Sequence, residues 1–222
     1  MEIKEIMSHV DHTMLKAFST GADIEKICEE YLEYHMASVC IPPSYIEFVN
    51  KKYGGKINIC TVIGFPLGYC TTETKVFEAA DAVAKGASEI DMVLNIGWVK
   101  DGRFDDVTKE IARVKKAVGS SVLKVIVETC YLSNEEKEAV CRCVTDSGAD
   151  FIKTSTGFGT AGATFDDIRL FSANLGEGIK MKAAGGIKSS SDFEEFLELG
   201  CERLGTSSAV KILVDNAHSS SY

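Results

Sequence analysis

Short apolar segments rich in Val and Ile recur along the chain, and longer segments with helical periodicity separate them. Such segments are typical of parallel strands that are buried on both faces. A weaker segment at residues 10–13 brings the series to eight. The predicted strands cover residues 10–13, 39–41, 57–64, 89–95, 122–128, 151–156, 179–184 and 203–206.

The segments between the strands predict helices with defined ends. Residues 72–86 and 104–119 each place aliphatic side chains on one face, as an amphipathic helix requires. Residues 133–136 and 191–194 have the Ser-x-x-Glu spacing of a capping box at a helix start. Glycines at positions 86, 119, 148 and 200 follow the predicted helix ends, where glycine is favoured.

Strands that alternate with helices predict a parallel sheet, which is either open and doubly wound or closed into a barrel. Eight strand–helix units in 222 residues lie near the lower end for a (β/α)8 barrel, which begins at roughly 200 residues. We therefore predict an α/β fold, the (β/α)8 TIM barrel, as a single domain over residues 1–222. Its functional site should lie at the carboxyl ends of the strands.

A faint repeat links three of the predicted strands. Each of three helix-ending glycines is followed five residues later by an unusual residue, which is Asp91, Lys153 or Gly205. The equal offset implies equal depth and the same facing on each strand. We therefore expect these three residues to converge on one place.

Lysines inside apolar strands are the strongest indication of chemistry. Lys124, Lys153 and Lys182 all lie within predicted strands, where a cation must be paired, hydrated or functional. Lowering a lysine pKa from about 10.4 to a nucleophilic 7 or 8 requires roughly 4 kcal/mol, which burial beside a second cation can supply. Lys153 with Lys182 and a nearby carboxylate, Asp91, would suit Schiff-base chemistry. The alternative is that the lysines lie at strand ends and reach water.

A phosphate site is predicted where two glycine- and serine-rich segments follow the last two strands. Gly185 and Gly186 follow strand seven, and Ser207 and Ser208 lead from strand eight into a short helix at 209–215. Barrels often bind phosphate in these loops. The alternative is ordinary turn chemistry.

A literal Gly-x-Gly-x-x-Gly motif at residues 157–162 resembles a dinucleotide fingerprint, with Glu177 twenty residues beyond its start. It follows the sixth strand rather than the first, and Glu177 precedes the next strand instead of ending it. We therefore expect Gly157 to contact phosphate and expect no nicotinamide site.

Composition narrows the function class. A net charge of −9 disfavours nucleic acid as a partner, because phosphate backbones require a basic face. No segment reaches the roughly 18 apolar residues of a membrane span. Eight cysteines in a chain without an apolar leader indicate reduced thiols and a cytoplasmic protein. Four scattered histidines predict no metal cluster.

Several further residues are weaker site candidates. Asp11, His12 and Thr13 end the first strand and could line the pocket, although strand-end polar groups often serve only a turn. Cys40 is more often a small core residue than a reactive thiol. Lys124 is either a third functional group or a buried structural charge. The terminal segment 219–222, which ends in Tyr222, is expected to be loose.

Together, these motifs resemble deoxyribose-phosphate aldolases, a family of class I aldolases with the barrel fold, over essentially the whole chain. The resemblance implies that Lys153 forms a Schiff base with acetaldehyde, that Lys182 keeps its charge and depresses the pKa of Lys153, and that Asp91 relays protons. It also implies a homodimer without a metal or organic cofactor. The residues that would bind the sugar phosphate are Asp11, Thr13, Cys40, Lys124, Thr156, Gly157, Gly185, Gly186, Gly205, Ser207 and Ser208. The motifs that carry the resemblance lie at residues 11–15, 39–42, 61–66, 89–95, 124–128, 151–157, 182–186 and 205–208.

The implied reaction is reversible cleavage of 2-deoxyribose 5-phosphate to glyceraldehyde 3-phosphate and acetaldehyde. The alternatives are another Schiff-base aldolase for a phosphorylated sugar and a barrel that binds a sugar phosphate without catalysis. A metal-dependent aldolase would lose activity in EDTA, and a dinucleotide oxidoreductase would be stabilised by NAD.

Overall fold

The computed structural model describes residues 1–215. Its eight parallel strands form one closed barrel in which each strand pairs with its neighbours in sequence and the last pairs with the first. The (β/α)8 prediction is confirmed. The strands are β1 (Val10–Thr13), β2 (Ser38–Ile41), β3 (Ile59–Ile63), β4 (Glu89–Val93), β5 (Val122–Ile126), β6 (Phe151–Lys153), β7 (Lys180–Ala184) and β8 (Cys201–Thr206).

Helices follow the strands and cover the outside of the barrel. In residues 1–215 they are α1 (Ile3–Met7), α2 (Gly21–Tyr34), α3 (Ile46–Tyr53), α4 (Thr72–Lys85), α5 (Ile96–Lys100), α6 (Phe104–Val118), α7 (Asn134–Ser147), α8 (Phe165–Asn174) and α9 (Ser190–Glu198). Short 3-10 turns cover Pro43–Tyr45 and Thr129–Tyr131, and a π-helical turn covers Lys211–Asp215. Among residues 1–215, no helix is long and apolar enough to cross a membrane.

Several predicted boundaries differ from the structure. The predicted strand at 151–156 ends at Lys153 in the structure, and further on Thr156 bonds the Glu128 side chain instead of a neighbouring strand. The predicted start of β8 at residue 203 was wrong by two residues, since pairing begins at Cys201. The capping box of α9 is formed by Ser189 and Asp192 rather than at 191–194. Tyr222 lies outside the described residues.

The apolar core lies between the strands and the helices. Outward-facing strand residues such as Ile90, Leu123 and Val125 pack there against buried helix residues such as Ile111 and Phe171. The barrel interior has a different composition, with only a small apolar cluster built around Cys40, Cys60 and Val62. Other interior positions carry the buried charged residues Asp11, Glu89, Asp91, Lys124, Lys153 and Lys182.

One buried ion pair joins the helices outside the barrel. Lys75 of α4 donates to Glu110 of α6 at 2.7 Å, and neither side chain has any exposure. Thr72 donates to the second oxygen of the same carboxylate. Removing one partner of such a pair leaves an uncompensated buried charge. Glu73 and Arg113 join the same two helices at the surface, at 2.8 Å.

We expect Lys75→Met to lower the free energy of unfolding by about 3–5 kcal/mol, because it leaves the Glu110 carboxylate buried without its cationic partner. The double variant Lys75→Met with Glu110→Leu should recover most of this loss. Arg113→Met is the matched surface control and should cost under about 1 kcal/mol. Urea unfolding measures all three. Equal losses for Lys75→Met and Arg113→Met would contradict the assigned role of the buried pair.

Candidate active site

Lys153 is the last residue of β6 and points into the barrel. Its side chain is only 4% exposed, and its Nζ donates to Oδ2 of Asp91 on β4 at 2.8 Å. Hydrogen bonds from the backbone N–H of Thr154 to Lys182 and of Val127 to Lys153 continue the ladder at this edge. Lys153 is therefore held at the point where the sheet ends and the loops begin.

Asp91 is the centre of the interior charges. Its Oδ2 accepts from Lys153 and from Lys182, each at 2.8 Å, and its Oδ1 accepts from Lys124 at 3.1 Å. Burial alone would raise the pKa of Asp91, but these three lysines outweigh it and hold that pKa well below its usual range. Asp91 is therefore ionised and fully paired.

Lys182 of β7 lies behind Lys153 and has no exposure. Its Nζ bonds Asp91 and also Asp11 of β1. Burial would lower the pKa of Lys182, but the charges of Asp11 and Asp91 outweigh it and raise that pKa above its usual range. The geometry thus supports a Lys182 that keeps its charge.

The ion pairs of Asp11, Asp91, Lys124, Lys153 and Lys182 form one charge network. This charge network continues towards the amino-terminal end of the barrel. Lys124 bonds Glu89 and lies 3.5 Å from Asp11. Arg203 of β8 bridges Asp11 at 2.7 Å and Glu89 at 2.9 Å. Glu89 and Arg203 were not among the sequence candidates. Strand alternation could have found them, because Glu89 is two residues before Asp91 and Arg203 is two residues before Gly205.

A cavity of about 440 Å³ opens above Lys153 at the carboxyl ends of the strands. Lys153 is the one member of the charge network that lines it. Eight residues expected to bind substrate also line it: Thr13, Thr156, Gly157, Gly185, Gly186, Gly205, Ser207 and Ser208. Lys16 and Phe158 line the cavity too, although the sequence analysis did not select them.

Asp11, Cys40 and Lys124 were expected to contact the substrate, but the structure places them elsewhere. All three are fully buried and absent from the cavity lining. Asp11 and Lys124 belong to the charge network, so their connection to the cavity runs through Asp91 and Lys153. Cys40 packs in the small apolar cluster of the barrel interior. His12 of β1 contacts Glu30 of α2 instead of this cavity.

Two glycines allow close approaches beside the cavity. A Cβ on Gly205 would lie 3.1 Å from Cε of Lys182 and 3.0 Å from Cβ of Ala184, which explains glycine at the end of the repeat. A Cβ on Gly162 would lie 2.4 Å from the backbone of Gly185. The glycine-rich motif therefore packs one loop against another, and this role needs no dinucleotide.

Glu128 fixes the loop that follows Lys153. It is 2% exposed and has a left-handed backbone with φ of 53°. Its carboxylate accepts hydrogen bonds from the hydroxyl and, at 3.1 Å, the N–H of Thr156. The Thr156 hydroxyl in turn accepts from the Phe158 N–H at 3.0 Å. Glu128 thereby orients one wall of the cavity, a role that no sequence pattern indicated.

Among residues 1–215, two groups of side chains come close enough to ligate a metal. They are Cys40 with Cys60 and Asp91, and Asp11 with Cys60 and Glu89, with ligand atoms within 4.8 Å of one another. The carboxylates already bind lysine and arginine groups of the chain. Burial, with the hydrogen bond to Cys40, raises the pKa of the shared Cys60 thiol well above its usual value, which disfavours the thiolate that metals prefer.

Comparison with known proteins identifies similar chains. The sequence matches the family model described as DeoC/LacD family aldolase over residues 5–207. A Clostridioides difficile (strain 630) protein named deoxyribose-phosphate aldolase is 58% identical over 211 residues, covering 95% of this chain and 96% of that protein. Its namesake from Clostridium botulinum (strain Alaska E43 / Type E3) is 56% identical over 213 residues, covering 96% of both chains.

Solved structures agree in fold. The structure described as "QR15, an Aldolase" superposes with a TM-score of 0.91 at 36% identity, covering 97% of both chains. A tetrameric deoxyribose phosphate aldolase from Aeropyrum pernix superposes with a TM-score of 0.89 at 29% identity, covering 97% of this chain and 92% of that one.

The low pKa of Asp91 predicts a pH dependence of stability. Between its folded pKa and an unfolded value of about 3.9, the unfolded state binds a proton that the folded state does not, so stability falls as pH falls. We expect Asp91→Asn to reduce the slope of unfolding free energy against pH by up to about 1.4 kcal/mol per unit near pH 3–4. Denaturant titrations at several pH values measure it.

Asp166→Asn is the matched control for that slope, because the Asp166 side chain is 93% exposed. It should leave the slope close to that of the unmodified protein. An unchanged slope in Asp91→Asn would contradict the assignment of an ionised, strongly paired Asp91.

Proposed function

This chain belongs to the DeoC/LacD family of aldolases, and from that membership we propose that it is a class I aldolase acting on 2-deoxyribose 5-phosphate. The enzyme class is that of the carbon–carbon lyases. The observation that carries the proposal is the position of Lys153, whose amine borders the cavity while Asp91 joins it to a second, fully buried lysine. This is the equipment of Schiff-base chemistry.

In the proposed reaction the Lys153 amine attacks the C1 aldehyde of the open-chain sugar, and loss of water gives an iminium. Removal of the C3 hydroxyl proton then breaks the C2–C3 bond. Its electron pair moves into the iminium to form an enamine, and glyceraldehyde 3-phosphate leaves. Protonation at C2 and hydrolysis release acetaldehyde and the free amine. The iminium is the electron sink, so the scheme requires no metal or organic cofactor.

Asp91 and Lys182 support the nucleophile in this proposal. Asp91 accepts a hydrogen bond from the Lys153 amine at 2.8 Å and would exchange protons with it. Lys182 keeps a positive charge behind Asp91, which offsets the tendency of that carboxylate to keep Lys153 protonated. Thr13 and Thr156 line the same cavity as Lys153 and would contact the sugar hydroxyls.

The phosphate would bind in the part of the cavity that the loops after β7 and β8 line. Gly186 and Ser207 would offer backbone N–H groups there, whereas the N–H of Gly185 donates to the Gly205 carbonyl at 3.3 Å and the N–H of Ser208 donates to the Thr206 hydroxyl at 3.1 Å. Lys16 supplies the further cation, since it and Lys153 are the two cationic side chains among the lining residues. One cavity thus holds Lys16 for the dianionic phosphate and Lys153 as the nucleophile.

We also propose a cytoplasmic homodimer without nucleic-acid or membrane partners. All eight cysteines are unpaired thiols, which suits a reducing compartment. Phe18, Phe48 and Phe77 are exposed aromatic side chains that a second copy could cover. Sedimentation equilibrium would measure the mass of the assembly, and a monomer at micromolar concentration would contradict the dimer.

We expect borohydride with acetaldehyde to leave a stable ethyl group on Lys153, because reduction traps the iminium. Peptide mapping by mass spectrometry locates the label. Lys182→Met should abolish labelling at neutral pH while the fold, followed by circular dichroism, is retained. Label on Lys182 of the unmodified protein, or no label, would show that the roles are wrongly assigned.

A coupled assay for glyceraldehyde 3-phosphate separates this enzyme from its alternatives. We expect turnover that EDTA does not reduce. Binding without turnover would indicate a sugar-phosphate sensor, loss in EDTA would indicate a metal-dependent aldolase, and stabilisation by NAD would indicate an oxidoreductase. Turnover of a different phosphorylated sugar only would indicate another Schiff-base aldolase.

We expect Lys16→Met to raise KM for 2-deoxyribose 5-phosphate by about tenfold, the equivalent of about 1.4 kcal/mol, with little change in activity towards unphosphorylated 2-deoxyribose. The reason is loss of the cation near the phosphate. Lys26→Met is a matched control, because Lys26 is an exposed lysine that does not line this cavity. An equal loss with both substrates would count against a phosphate contact.

A further inference from the structure

The charge network of the barrel extends beyond the residues that the proposed reaction uses. It contains four cations, Lys124, Lys153, Lys182 and Arg203, and three carboxylates, Asp11, Glu89 and Asp91. With all seven groups ionised, it carries one positive charge in excess. Excess charge inside a low-dielectric barrel favours release of one proton.

The position of each cation indicates which one releases that proton. Lys124 contacts all three carboxylates, and Lys182 contacts two of them. Arg203 cannot lose its proton in a protein. Lys153 has a single carboxylate partner within the network and is the member that borders the cavity. The excess charge therefore acts on Lys153.

Glu89 and Arg203 set the size of that excess from the far end of the barrel. Arg203 donates to Oε1 of Glu89 at 2.9 Å and to Oε2 at 3.0 Å, while Lys124 also bonds this carboxylate. Neither Glu89 nor Arg203 lines the cavity or forms an ion pair with Lys153. Their side chains are 4% and 19% exposed, so water screens them only weakly.

Resting on the proposed function, we propose that Glu89 and Arg203 are positioning residues that set the pH range in which Lys153 forms its Schiff base. They act through space and through Lys124 and Asp91, without touching substrate. Glu89 contributes one negative charge to the network, and Arg203 contributes one positive charge. The amino-terminal end of the barrel thereby takes part in reactivity as well as in stability.

The remaining charged and titratable groups around Lys153 are common to all variants tested below. Within residues 1–215, the other groups that face Lys153 or its cavity from the surrounding strands and loops are Asp11, Lys16, Cys40, Cys60, Asp91, Lys124, Glu128 and Lys182. Substitution of Glu89 or Arg203 alone leaves the other groups in place, so a change in pH dependence reports the charge that was removed.

The expected shift in the pH dependence of trapping follows from the distance between the removed charge and the Lys153 amine. Glu89 is two residues before Asp91, about 6.6 Å along the strand, which places its carboxylate roughly 8 to 10 Å from the Lys153 amine. At an effective dielectric constant of about 20, one charge at that distance changes proton binding by roughly one pH unit. A shift of that size is a tenfold change in trapping rate on the acid side of the profile.

The experiment measures the rate of borohydride trapping with acetaldehyde against pH, with label on Lys153 confirmed by mass spectrometry. Glu89→Gln removes a negative charge, so the half-maximal pH should fall by about one unit. Arg203→Met removes a positive charge, so it should rise by about one unit. Arg203→Lys keeps the charge and should leave the half-maximal pH unchanged, even if the maximal rate falls.

The double variant Glu89→Gln with Arg203→Met restores the network charge and should return the half-maximal pH close to that of the unmodified protein. A merely structural role would lower rates without shifts of opposite sign. If Glu89→Gln does not fold, the comparison of Arg203→Met with Arg203→Lys still decides the question. Only Arg203→Met should shift the half-maximal pH.

Two outcomes would overturn this inference. One is a half-maximal pH that stays constant in Arg203→Met while Lys153 is still trapped. The other is a shift of both single variants in the same direction. Absence of trapping on Lys153 in the unmodified protein would be different, because it would overturn the proposed function and this inference with it.

Discussion

Buried charge is the constraint on which the rest of this structure depends. Most parallel barrels fill the interior with layers of branched aliphatic side chains, but here Asp11, Asp91, Lys124 and Lys182 occupy it without any exposure. Desolvating each ion costs several kcal/mol unless opposite charges and hydrogen bonds compensate. Each of these groups has at least two charged partners, and this requirement ties β1, β4, β5, β7 and β8 together in one register.

The same compensation makes one amine available for chemistry. Lys124 and Lys182 are enclosed by carboxylates, whereas Lys153 has one partner and a free side towards the cavity. The network therefore has one amine, that of Lys153, in a residue that lines the cavity. The glycine-rich loops above it contribute backbone contacts at the cavity wall, where side chains would collide, as at Gly162 and Gly205. Charge is concentrated below the cavity, and the glycines leave the cavity open.

The convergence of Asp91, Lys153 and Gly205 could be predicted because their equal offset from a helix-ending glycine is a local property of the chain. The eight strands and the cavity loops were predictable for the same reason. Glu89 and Arg203 were not selected, although strand alternation relates them to Asp91 and Gly205. Glu128 was not selected, because its role depends on hydrogen bonds from Thr156, 28 residues away in the sequence. Asp11, Cys40 and Lys124 were assigned to the pocket, although the repeat that relates depth between strands covers Asp91, Lys153 and Gly205 and says nothing about the depth of these three residues.

The sequence by itself determined the alternation of strands and helices, the parallel sheet and the residue types at its carboxyl ends, because periodicity and turn chemistry act over a few residues. Only the tertiary structure decided which charges touch. Lys153 and Asp91 are 62 residues apart, and Lys182 and Asp11 are 171 apart. Closure of the barrel brings them within hydrogen-bond distance, and no local pattern encodes the depth at which each side chain meets its partner.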